Sequence, residues 1–71
     1  MNLSIFPNPF TSKINIKPAG GNKRYELSDC YGQVIFSGSN ISSQDFSFLA
    51  KGIYILSIIE NKTTIIKLAK E

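Results

Sequence analysis

Apolar and polar residues alternate in short runs along this chain, and no window places apolar side chains at the i, i+3, i+4 and i+7 positions of an amphipathic helix. The pattern predicts strands. Residues 3–6 read as a short first strand that stops at Pro7-Asn8-Pro9, where two prolines remove backbone donors and hold Phe6 and Asn8 extended, as at a sheet crossing or edge corner. Residues 11–17 alternate, with Ile14 and Ile16 on one face and Lys13, Asn15 and Lys17 on the other, as expected of a half-buried strand. Residues 18–22 form a loop by composition. A third strand over residues 23–28 points Tyr25 and Leu27 inward, and a fourth covers residues 33–37. Asp29-Cys30-Tyr31-Gly32 joins the two as a hairpin-like turn in which Gly32 takes the left-handed conformation.

Residues 38–44 are polar and read as a surface connection, and residues 45–48 as a short edge strand before the chain turns at Gly52. Residues 53–60 are apolar on both faces, with Tyr54, Leu56 and Ile58 on one and Ile53, Ile55 and Ile59 on the other, the pattern of a central strand. Asn61-Lys62 turns the chain, and residues 63–69 return as the last strand. Short strands at intervals of about 8 to 12 residues predict an all-β two-sheet sandwich.

With 42% apolar residues the chain can fold, and the β-branched Ile that dominates them favours strands. At 71 residues it makes one domain, expected to span 1–71 and, because it opens directly in strand-like sequence, to have been excised from a larger protein. The net charge of +3 does not imply a nucleic-acid partner, because the basic residues are scattered and no run exceeds Lys23-Arg24. Cys30 is alone, so no internal disulfide can staple the fold, and it is expected as a buried or half-buried hydrophobe. No apolar stretch approaches the length of a membrane-spanning helix, and the N-terminus lacks a secretory leader pattern.

Catalytic chemistry finds little support. There is no histidine, and Glu26, Asp29, Asp45, Glu60 and Glu71 lie in separate segments, so neither paired-acid catalysis nor a metal cluster is indicated. Gly20-Gly21 lacks the following residues of a phosphate-binding loop. No catalytic residue, cofactor or metal site is therefore expected. The aromatic residues alternate with polar ones as core positions do, with Tyr31 at the hairpin tip the exception. On residues alone this is an all-β interaction module.

Four pieces together resemble the C-terminal sorting domain of type IX secretion cargo. They are Phe6-Pro7-Asn8-Pro9-Phe10 with the Ile14-Asn15-Ile16 strand; residues 25–34, with Asp29 and Gly32 at their turn; Leu49-Ala50-Lys51-Gly52-Ile53-Tyr54; and Lys67-Leu68-Ala69-Lys70-Glu71. Each motif is common; their order and spacing carry the resemblance. Gln33 departs from it, standing where that family usually has Arg, and Cys30-Tyr31 replaces a small or polar pair. The resemblance implies an immunoglobulin-like sandwich of about seven strands, made as the tail of an N-terminal cargo protein and recognised in the periplasm by the outer-membrane translocon. It further implies removal by a cysteine-protease sortase that cuts upstream of residue 1, with the cargo secreted or held at the cell surface. Pro7, Asn8, Pro9, Asp29, Gly32, Gly52 and Tyr54 fall on family motif positions expected to shape the fold. Lys67, Leu68, Lys70 and Glu71 are the candidate translocon contacts, with Ile65 supplying apolar area on the same outer face. A carbohydrate-binding or adhesive accessory sandwich is the competing reading, and a spacer between larger domains a third.

Overall fold

The computed structural model describes residues 4–17 and 23–71. Its elements in chain order are β1 (Ser4–Phe6), β2 (Asn15–Lys17), β3 (Arg24–Asp29), β4 (Val34–Gly38), a single 3-10 turn (Ile41–Ser43), β5 (Gly52–Ile59) and β6 (Thr63–Lys70). β1 and β2 pair antiparallel as a small sheet, and the larger sheet is antiparallel in the order β4-β3-β5-β6. The expected all-β sandwich is borne out, with six strands among the described residues. The loop expected over residues 18–22 and the start of the first strand at Leu3 lie outside the described residues.

Period-two alternation decides which side chains enter the core. From β3, Tyr25 and Leu27 point in; from β5, Tyr54, Leu56 and Ile58; from β6, Leu68; Phe10, Ile14 and Ile16 meet them from the opposite layer. Each fully buried side chain of this size contributes about 1.5–3 kcal/mol relative to an exposed one. Phe10 packs edge-to-face on Phe46 at 6.4 Å and on Tyr54 at 6.2 Å, the arrangement that matches ring edge to ring face.

Two expectations change. Residues 45–48 are not a strand: the Leu49 N–H donates to the Phe46 carbonyl in a turn, and the Phe46 N–H donates to Ser12. This loop lies across the core, because Ile41 and Phe46 insert as plugs and are buried. The connection is thus polar only in composition. Residues 11–17 do alternate as expected, with Ile14 and Ile16 buried, but ladder pairing is confined to Asn15–Lys17, since the register would next set Ile14 against Pro7, which has no N–H to donate.

The outer face of β5 is more open than that of an enclosed strand. Ile53 is exposed and Ile55 and Ile59 are half-buried, since no layer of the described residues covers that side of the larger sheet. Cys30 is exposed rather than packed, because the hairpin tip projects beyond the core. Tyr31 is exposed as expected, but so are Phe48 and, less fully, Phe6, whose ring instead lies under the Lys17 ammonium at 5.9 Å.

Candidate recognition edge

β6 is an edge strand of the larger sheet, paired to β5 from Gly52↔Lys70 to Ile59↔Thr63. Its far side has two different fates along its length. At the C-terminal end the Pro-Asn-Pro-Phe segment lies against it: the Phe10 N–H donates to the Ala69 carbonyl at 2.9 Å, and the Glu71 N–H donates to the Phe10 carbonyl at 2.9 Å. The Ala69 N–H is taken by the Asn8 Oδ1 at 3.2 Å. Pro7 and Pro9 suit this place because a proline lacks the donor that a sheet interior would require. The Phe6-Pro7 and Asn8-Pro9 bonds are both cis. The segment carries the chain from the small sheet, where β1 pairs with β2, to the edge of the larger one, where Phe10 bridges Lys70 in parallel.

Ala69 directs both its backbone groups away from β5 towards this clasp. Backbone direction alternates along an antiparallel strand, so Lys67, Ile65 and Thr63 also direct theirs outward. No described residue bonds the edge there. The side chains of these three residues are exposed as well, Ile65 at 66%.

The four sequence-selected contacts are not gathered on one surface. Lys67 and Glu71 are exposed, but Leu68 is a core residue and Lys70 is 8% exposed. Lys70 lies on the inner face, one residue out of phase with Lys67, and its ammonium donates to the Glu71 main-chain oxygen at 2.7 Å. The pairing of Lys67 and Lys70 on one face is therefore corrected: strand periodicity separates them, and Ile65 shares the outer face with Lys67 alone.

The motif residues act within the fold. One carboxylate oxygen of Asp29 accepts from the Tyr31 and Gln33 N–H groups, both at 2.9 Å, which fixes the hairpin turn. Gly32 has φ +87, the left-handed conformation expected of it, and Gly52 has φ +150 where the chain enters β5. The Tyr54 hydroxyl donates to the Ala50 carbonyl at 2.7 Å, tying the start of β5 to its preceding loop in the manner of a tyrosine corner. Asn8 is the residue whose part the sequence reading undersold. An amide side chain between two prolines was a signal for a backbone-bonding role, but its partner 61 residues away could not be seen.

Electrostatics add little chemistry. Burial, and secondarily the nearby Glu60 charge, raise the Tyr25 hydroxyl above the usual tyrosine value. Hydrogen bonds from Ser47 hold the Asp45 carboxyl below the usual range. Among the described residues no cluster of three His, Cys, Asp or Glu side chains could hold a metal ion, and no helix is long and apolar enough to cross a membrane.

The structure is thus an all-β sandwich in which one edge stretch, Thr63–Lys67, has no bond from any described residue on its outer side. The model of the secretion system C-terminal sorting domain matches residues 4–70, and the chain belongs to that family, the sorting domains of type IX secretion. No curated protein matches the chain. The family is one of sorting signals rather than catalysts, and its members mark proteins for type IX export to the cell surface or medium.

Proposed function

We propose that this domain is read as a folded unit by the type IX translocon in the periplasm, through the uncovered part of β6, and is then removed from its cargo by the sortase at a bond upstream of residue 1. The observation that carries the reading is the family match over residues 4–70, which leaves almost no part of the chain outside the signal. The division of β6 supports the location. Its C-terminal end is bonded to residues 8–10, so the stretch from Thr63 to Lys67 is where backbone groups are still open to a partner.

Deleting residues 67–71 would not test this cleanly. It removes the buried Leu68 and the partners of Phe10, so failed delivery would follow from failed folding. The discriminating experiment fuses residues 1–71 to a reporter that reaches the periplasm through its own leader, in cells with and without the translocon. Surface or medium delivery is expected only in the former, and a size decrease matching loss of the domain is expected only where the sortase is active. Delivery without the translocon would refute the reading.

A further inference from the structure

We propose that the stretch of β6 from Thr63 to Lys67 binds its partner by strand addition, and that the partner is an extended segment of a protein carrying a carboxylate opposite Lys67. The proposal rests on the reading that β6 is the surface recognised. Three observations converge on it. The outward N–H and C=O groups of Thr63, Ile65 and Lys67 have no bond from any described residue, whereas those of Ala69 are both taken by the clasp. An incoming strand would find a ladder already begun by Phe10 and would extend it along the same edge.

The charge on this edge is one-sided. Within Thr63–Lys67 the one charged side chain is Lys67, and its cross-sheet neighbours on its own face are Ile55 and Ser28. A carboxylate on an added strand would therefore sit beside a lysine that has no acidic neighbour in its own sheet row. A second copy of this chain fits less well. Antiparallel self-pairing centred on Ile65 sets each Lys67 against a Thr63 and brings together two chains of charge +3, leaving both lysines without a counter-charge.

The opposite edge is protected differently. Between β3 and β4 the register shifts at Leu27/Ser28, an irregularity of the kind that disfavours an added strand.

The test titrates isotopically labelled protein with a capped nine-residue peptide of alternating Thr and Val bearing one central Glu, and with its counterpart bearing Lys, while backbone amide signals are followed. The amides of Thr63, Ile65 and Lys67 should shift with the Glu peptide, and the Lys peptide should bind about fivefold more weakly. Lys67→Glu should reverse that order, and Ile65→Pro, which removes an outward N–H that the fold does not use, should abolish binding of both. If the proline variant fails to fold, the charge reversal still decides. The proposal is overturned by equal affinity for the two peptides, by shifts confined to Val34–Gly38, by no shift at all, or by concentration-dependent changes at residues 63–67 without peptide, which would assign the edge to a second copy. Any of these alongside normal translocon-dependent delivery would leave the sorting function standing and displace only the edge.

Discussion

The two halves of β6 are one continuous strand with the same β5 partner, yet they differ in almost every other respect. The half from Leu68 onward is built into the molecule: Leu68 is in the core, Lys70 is covered, and backbone groups on the far side are bonded to residues 8–10. The half from Thr63 to Lys67 has the same local geometry and no such cover from any described residue. One strand is thus core along one half and open edge along the other, and what separates the two is a short proline-rich segment from the other end of the sequence.

The largest expected effect falls on the covered half. Phe10→Ala removes a fully buried ring that contacts Phe46 and Tyr54 and should cost about 3–5 kcal/mol, read as a large fall in denaturation midpoint. If the midpoint scarcely moves, the clasp is not part of the cooperative fold. At the remote hairpin, Gly32→Val should cost about 1–3 kcal/mol from backbone strain alone, because an added Cβ would meet nothing within 4 Å. An unchanged melting temperature would contradict its positive φ. Asn8→Ala, which deletes one bond of the clasp, should cost about 0.5–1.5 kcal/mol and speed hydrogen exchange at Ala69.

Ile65→Thr, in the open half, should change stability by no more than about 0.5 kcal/mol in either direction. A cost comparable to Phe10→Ala would show that this half is covered after all. The smallest effect is a pH dependence. Tyr25 has a raised folded value, so its neutral form is favoured in the native state, and its contribution is complete below the unfolded tyrosine value and lost as pH rises through it towards the folded one. Thermal melts of Tyr25→Phe should therefore be less sensitive than wild type to pH above about 10.

Much of this was legible in advance. The alternation of Tyr25 and Leu27, of Tyr54, Leu56 and Ile58, and of Ile14 and Ile16 gave the correct inward faces, because a strand has period two whatever its neighbours are. The turn at Asp29 and Gly32 was equally readable, since a short side chain bonding nearby amides and a residue free to take positive φ are local matters. Ile41 was misjudged because its polar neighbours describe the loop and not the space it crosses, whereas Phe46 is in the core as its aromatic pattern implied, in a turn and not in the strand expected over 45–48. Lys67 and Lys70 were joined by nearness in sequence, although an odd spacing puts them on opposite faces.

The sequence by itself determined that the chain is all-β, where its main turns lie, and which family it belongs to, because these follow from local periodicity, turn chemistry and motif order. Only the tertiary structure decided which stretch of the last strand is open. That depends on residues 8–10 meeting residues 69–71, a contact across nearly the whole chain, and no short-range pattern encodes which backbone groups a distant segment will satisfy.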